Sequence, residues 1–320
     1  MTRVAAIDCG TNTIRLLIAE ATRTAEGQVL LEPIDRRNQI VRLGQGVDRT
    51  GQFDPDALER TLQAVAGFAR RCEELGAQHR RFVATSATRD ARNRQEFIAG
   101  VREQLGVEPE VISGQEEARL SFSGSLLGAA PADGPRLVVD LGGGSTELVL
   151  GLEAPQAAIS LDTGSVRITE RFLTSGVSVA AEAAARAEVR GLLDEAAQVV
   201  DLSAAHSLVG LAGTITTVTS HALGCEGWQP ERVSGAVLPV NQVLASCEAL
   251  LHSTPGQREA MTFLSVGRRD VIAAGALIWS EVVQRVVEAT AATSHPVTET
   301  VTSTHDILDG IALDLAQRIV

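Results

Sequence analysis

Two stretches of fourteen residues, AAIDCGTNTIRLLI from Ala5 and LVVDLGGGSTELVL from Leu137, align without a gap at an offset of 132 positions (137 less 5). The alignment sets Asp8 over Asp140, Gly10 over Gly142 and Thr13 over Ser145. A repeat this distant restricts the fold strongly, because each copy must be packed into a unit of its own. Each copy reads as strand, Asp-x-Gly turn, strand: the apolar runs are too short for helices, and Val138 and Val139 are β-branched. Gly142, Gly143 and Gly144 let the backbone approach a ligand closely, so that successive N–H groups can point at an anion. Asp140 and Glu147 flank that turn and would repel a phosphate unless a cation lay between, for which Mg²⁺ suits the oxygen donors. Taken alone, the stretch also reads as a Gly-rich hairpin with two solvated acids.

A second pair of segments follows the first. RFVATSATRD from Arg81 and SLVGLAGTIT from Ser207 are each an apolar strand opening into a small-residue turn, with Thr88 in one and Thr214 in the other. The chain therefore reads as duplicated, two related α/β domains bringing their Asp-Gly turns to opposite walls of one cleft. The Pro/Gly-rich segment Ala129 to Pro135 separates a first domain over 1–128 from a second over 136–320, with the final helix free to pack back on the first. Among the helices, Asp54-Pro55 starts one that keeps helical spacing to about Leu75. Others are expected from Ala180 to Val200, Ile215 to Leu223, Pro239 to Leu251, Arg258 to Val287 and Asp306 to Ile319.

Composition narrows the chemistry. No run of 18 apolar residues and no signal peptide is present in the 320 residues, so a cytoplasmic protein is expected, without membrane attachment. Cys9, Cys72, Cys225 and Cys247 are scattered, which indicates neither a disulfide framework nor a zinc site. All 28 basic residues are Arg, so a Walker-type P-loop and any Lys nucleophile are excluded, and there is no G-x-S-x-G. A formal net charge of −12 argues against general nucleic-acid binding. A polyanion would have to be met by arginines, and Arg80, Arg81, Arg89, Arg92 and Arg94 cluster after the strand at Phe82, with Arg167, Arg268 and Arg269 as further candidates; a solvated helix face is the alternative.

The segment VISGQEEARLSFSG carries two adjacent acids with different explanations. Ser113 and Glu116 have capping-box spacing, which accounts for Glu116. Glu117 shares a helical face with Leu120, Ser121 and Gly124, and a carboxylate on a packed face is a candidate general base.

Six segments, AIDCGTNT, ATSATRDARN, ISGQEEARLSFSG, VVDLGGGSTEL, GLAGT and GRRDVIAAGA, resemble in order those of the exopolyphosphatase and guanosine pentaphosphate phosphohydrolase (Ppx/GppA) family. The resemblance implies two duplicated domains of the actin-like ATPase (ribonuclease H-like) fold, α/β in class, with phosphate in the cleft they flank. It implies Glu117 as the catalytic base and Mg²⁺ held by Asp8, Asp140 and Glu147. Phosphate contacts fall to Gly10, Thr11, Asn12, Thr13 and Arg89, and to Gly142, Gly143, Gly144, Ser145, Gly213 and Thr214. The sequence departs from the family in Thr11 and Thr13, where Ser is commoner, and in HDILDG from His305, where many members carry an Arg before a Glu-Gly. By the same resemblance the chain is expected to be a short, two-domain form without the additional C-terminal helical domains of longer relatives. The expected activity is Mg²⁺-dependent release of terminal orthophosphate from inorganic polyphosphate, short chains above all, by a homodimer. The alternatives are guanosine pentaphosphate 5′-phosphohydrolase, a guanosine tetraphosphate or polyphosphate sensor without turnover, and an ATP-driven kinase or chaperone.

Overall fold

The computed structural model describes residues 2–320. It divides into two compact units, one of the residues up to Leu127 with Ile307–Val320, the other Gly128–Asp306. The second unit thus starts earlier than residue 136 and ends at Asp306, not at 320.

In the first unit β1 (Thr2–Cys9), β2 (Thr13–Arg23), β3 (Val29–Ile40), β4 (His79–Ala84) and β5 (Glu110–Val111) lie in the order β3-β2-β1-β4-β5. The first three strands are an antiparallel meander, and β4 and β5 add to it in parallel. The second unit contains β6 (Arg136–Leu141), β7 (Thr146–Gly151), β8 (Pro155–Leu161), β9 (Ser207–Leu211), β10 (Val237–Pro239) and β11 (Glu299–Thr302) in the order β10-β11-β9-β6-β7-β8. With β10 set aside, β8-β7-β6-β9-β11 repeats the first sheet strand for strand and in the same pairing directions. The duplication extends to irregularities: the β2–β3 register shifts between Ile18 and Ala19, the β7–β8 register between Leu150 and Gly151, again 132 positions apart.

Period-two alternation divides each sheet between two faces. In the first unit Ala5, Ile7, Ile14, Leu16 and Ile18 face one core with Val65 and Phe68 of helix Pro55–Glu74. Val4, Ala6, Leu17 and Ala19 face another, which Leu308, Ile311 and Ala312 of helix Ile307–Ile319 fill. Burying Leu308 and Ile311, neither exposed at all, stabilises that arrangement by about 2 kcal/mol per side chain, and explains why the last residues belong to the first unit. Gly310 permits the approach, since a Cβ there would overlap the Leu120 carbonyl of helix Gly114–Ser125 and meet the Gly124 nitrogen at 3.2 Å. In the second unit Leu137, Val139, Leu148 and Leu150 pack with Leu277 and Val283 of helix Ile272–Thr290, which leaves Asp140 and Glu147 on the opposite face.

Asp54 caps helix Pro55–Glu74 by accepting from the Ala57 N–H at 3.1 Å. The helix expected over Arg258 to Val287 is instead three pieces: Pro255–Ala260, a 3₁₀ turn at Val266–Arg268, and Ile272–Thr290. A Thr254/Gln257 capping box starts the first piece, and Met261 in extended conformation ends it. Among the described residues no helix is long and apolar enough to cross a membrane.

Candidate active site

In the first unit, Asp8 stands near the end of β1, directly opposite Arg15 on β2. The Arg15 Nε and Nη2 donate to Asp8 Oδ2 at 2.9 and 2.6 Å. The turn Gly10–Thr13 is closed by the Gly10 N–H on the Thr13 carbonyl at 2.9 Å. Beside it Thr85 leaves β4, its N–H on the Cys9 carbonyl, and the short helix Ser86–Asp90 begins. That helix carries Arg89, whose Nη1 donates to Glu117 Oε2 at 2.6 Å and to the Ile112 carbonyl at 3.1 Å. Glu117 is 7% exposed, in the first turn of helix Gly114–Ser125. The contact places a guanidinium directly on the carboxylate predicted to be the base.

The adjacent Glu116 is different. Ser113 accepts from its N–H at 3.2 Å, but its carboxylate does not return to the cap. It is held instead by Arg119 at 2.8 and 2.7 Å, so only half of the expected capping box forms. The Arg119 guanidinium, more than its other neighbours, holds the Glu116 carboxyl below the ordinary carboxylate value.

The members of the arginine cluster differ in their surroundings. Arg80 donates to the Ala77 and Leu105 carbonyls, Arg81 is buried against Glu110 and Asp314, Arg92 donates to the Thr50 carbonyl, and Arg94 to that of Arg89. Arg80 and Arg81 are thus engaged in building the unit, Arg92 and Arg94 are exposed with one carbonyl contact each, and of the five only Arg89 touches a predicted catalytic group.

The second unit places Asp140, Gly142, Gly143, Gly144, Ser145 and Glu147 on one hairpin. Asp140 and Glu147 are directly opposed across β6 and β7, 8% and 1% exposed; the Ser160 hydroxyl donates to Glu147 Oε1 at 2.7 Å. At the repeat offset Glu147 corresponds to Arg15. The same cross-strand position thus holds a neutralised Asp–Arg pair in one unit and two carboxylates in the other. Two buried carboxylates side by side are an oxygen donor set that fits Mg²⁺. Asp8, the third predicted ligand, already has its charge met by Arg15.

The Gly142 N–H closes the turn on the Ser145 carbonyl at 3.0 Å. Behind it a segment from the end of β8 takes up the carbonyls: Ser165 N–H on Gly142, Val166 and Arg167 N–H on Gly143 at 3.0, 2.8 and 3.1 Å, and Arg167 Nε on Gly144 at 2.8 Å. Within a trans peptide C=O and the following N–H point in opposite directions. The Gly143, Gly144 and Ser145 N–H groups are thereby turned away from this segment, three consecutive donors suited to an oxyanion.

Next to β6, β9 ends at Leu211 opposite Asp140, and helix Ala212–Ala222 starts at once, three residues earlier than expected. Ala212 has a φ of 69°, strained for a residue with a side chain. Gly213 is covered by the Arg268 guanidinium, whose Nε would lie 2.5 Å from any added Cβ, and Thr214 is 6% exposed against Gly275. Arg268 therefore lies on the small turn, whereas Arg269 reaches the Glu259 carbonyl. The alignment of Arg15 with Glu147 is a signal visible in the sequence; the bond of Arg167, itself a candidate for polyanion contact, to the Gly144 carbonyl is not.

A family model described as the Ppx/GppA phosphatase family matches residues 20–298. The chain is 43% identical over 323 aligned residues to Exopolyphosphatase 2 of Mycobacterium tuberculosis, covering 99% of both chains. Among solved structures it is similar to an exopolyphosphatase-like protein (42% identity, 99% and 98% coverage, TM-score 0.93) and to the PPX-GPPA enzyme of Aquifex aeolicus (28%, 98% and 99%, TM-score 0.77). At the level of fold alone it also resembles a nucleoside triphosphate hydrolase of Neospora caninum (10%, 99% and 93%, TM-score 0.53).

Proposed function

Because this chain belongs to the Ppx/GppA phosphatase family, we propose that it is an exopolyphosphatase, a phosphoanhydride hydrolase that releases terminal orthophosphate from inorganic polyphosphate. The observation that carries the reading is the pairing of Glu117 with Arg89, a buried carboxylate held by a guanidinium in a chain whose nearly full-length relative bears that activity in its name. A carboxylate so placed accepts the proton of a water molecule as the water oxygen bonds to phosphorus, and the bridging P–O bond breaks to release the shortened chain. The Gly143, Gly144 and Ser145 N–H groups suit the oxygens of a phosphoryl group in which charge is spread over three positions. Gly10 to Thr13 in the first unit and the Gly213–Thr214 turn in the second are also assigned phosphate contacts in this reading.

Mg²⁺ is the cofactor of this reading, with Asp140 and Glu147 as its holders and Asp8 as a further carboxylate. When bound, the ion offsets charge on the leaving phosphate. The same reading takes the enzyme as cytoplasmic, in keeping with four cysteines that are free and buried, and as a homodimer. Phosphate release measured side by side from tripolyphosphate, long polyphosphate, guanosine pentaphosphate and ATP tests the proposal. Polyphosphate should be turned over most efficiently. Guanosine pentaphosphate as the better substrate would reassign the chain to the second activity of its family, and binding without release would make it a sensor.

A further inference from the structure

The two phosphate turns share a support that their sequences do not reveal. In the second unit the chain leaves β8 and runs behind the turn, where Ser165, Val166 and Arg167 give their N–H groups to the Gly142 and Gly143 carbonyls and Arg167 adds its Nε to that of Gly144. These are the first N–H groups of the short helix Ser165–Ile168, which have no partners inside a helix. Gly164 makes the contact possible: a Cβ there would stand 2.5 Å from the carbonyl carbon and oxygen of Gly143 and 2.7 Å from the Gly144 nitrogen, all backbone atoms with nowhere to move. In the first unit the chain leaving β3 does the same. Val41 and Arg42 donate to the Asn12 carbonyl at 3.0 and 2.9 Å, and Gly44 to that of Thr11 at 2.8 Å. A Cβ on Gly44 would overlap the Thr11 side chain and meet the Ala87 Cβ at 3.0 Å.

We propose that these segments are braces that fix the peptide planes of the phosphate turns, with Gly164 and Arg167 in the second unit and Gly44 in the first as positioning residues for the substrate phosphate. The proposal rests on the assignment of the Gly142–Ser145 turn to phosphate. Each brace holds carbonyls on one side, and peptide planarity then sends the next N–H to the other. The donors are set before phosphate arrives, so binding incurs little ordering cost. The role of Arg167 in this device belongs to its Nε and not to its charge.

That distinction can be tested, because the Gln amide nitrogen is as many bonds from the backbone as the Arg Nε. Arg167→Gln keeps a donor toward Gly144, Arg167→Met keeps the length without one, and both remove the charge. The readouts are the dissociation constant of inorganic phosphate by calorimetry, KM and kcat on tripolyphosphate, and the thermal midpoint. Arg167→Gln should stay within about threefold of the parent in phosphate affinity, whereas Arg167→Met should lose tenfold or more and raise KM in parallel, the loss expected when one hydrogen bond no longer orders the turn. Equal loss in both variants would mean that Arg167 acts by its charge, and no loss in either would mean that the turn holds itself; each result overturns its positioning role. Gly164→Ala should weaken phosphate binding at least as much as Arg167→Met. An unchanged phosphate constant with only a lowered thermal midpoint would reduce Gly164 to packing. Since phosphate binding is read without turnover, a parent enzyme inactive on polyphosphate but binding phosphate would defeat the proposed activity and leave the brace open to the same comparison.

Discussion

Glu116 and Glu117 are neighbours whose fates are set by which face of one helical turn each occupies. Glu117 is buried and paired with Arg89, so Glu117→Gln should lower kcat by a factor on the order of 10² to 10⁴ with KM nearly unchanged. Glu116→Gln should leave kcat within about twofold, since its carboxylate is engaged with Arg119. Its effect should appear in stability, with a definite sign. The folded carboxyl titrates below its ordinary value, so the Arg119 pair contributes at neutral pH, and its contribution is lost as pH falls below the ordinary carboxylate value of about 4.3 toward the folded one. Melting curves should show Glu116→Gln below the parent at pH 7 and converging with it in acid; a gap that widened in acid would refute the assignment. The packed face that singles out Glu117 is legible in the sequence, because i, i+3 and i+4 spacing can be counted. The Arg89 contact is not, since it joins side chains 28 positions apart. Asp140 and Glu147 lead to a metal prediction: activity should disappear in excess chelator and return with Mg²⁺, and undiminished hydrolysis in chelator would remove the ion from the mechanism.

At the scale of elements, the repeat carries most of what could be known beforehand. Strand, Asp-x-Gly turn and strand are local patterns, and their recurrence at one offset foretells two sheets of the same order, down to the register shifts after Ile18 and Leu150. What the offset does not predict is how the chain returns behind each turn, because Gly44 and Gly164 are 120 positions apart, not 132, and each is chosen by a backbone approach that exists only after folding. The final helix is a similar case. Its apolar stripe is visible in the sequence, but which sheet it covers depends on a contact between Gly310 and the Leu120 carbonyl. Gly310→Ala should therefore destabilise the protein by roughly 1–3 kcal/mol through overpacking, seen as a lower thermal midpoint. A helix that tolerated the Cβ without loss would show that the contact is looser than described. The helix expected over Arg258 to Val287 starts earlier for a local reason legible in the sequence, since Thr254, Pro255 and Gln257 form a capping box of their own, whereas its break at Met261 carries no such signal.

At the scale of the whole molecule, an acidic protein must bind an acidic substrate. The formal charge of −12 repels a polyphosphate chain at long range, and the arginines of the 80–94 cluster that could oppose this all make hydrogen bonds within the first unit. Arg80, Arg81, Arg92 and Arg94 are tied to carbonyls and carboxylates of the first unit, and Arg269 to a carbonyl of the second. Arg89 lies against the predicted base Glu117, and Arg268 lies over Gly213 of a predicted phosphate turn. Backbone N–H groups hold phosphate oxygens without bringing a full charge, so affinity gained through them depends little on salt. Binding a polyanion releases counterions in proportion to the charges contacted, and by analogy with nucleic acids the logarithm of affinity should fall with that of salt along a slope of roughly two to four contacts. Short chains should consequently be bound about as well per molecule as long ones. Arg89→Ala should flatten the salt slope further and raise KM, and should also lower kcat, because Glu117 loses its guanidinium. KM measured against chain length at two salt concentrations decides the matter. Affinity that kept climbing into chains of hundreds of phosphates, with a steep salt slope, would require an extended basic track, and the internal engagement of these arginines would then be the wrong basis for predicting how the enzyme meets its substrate.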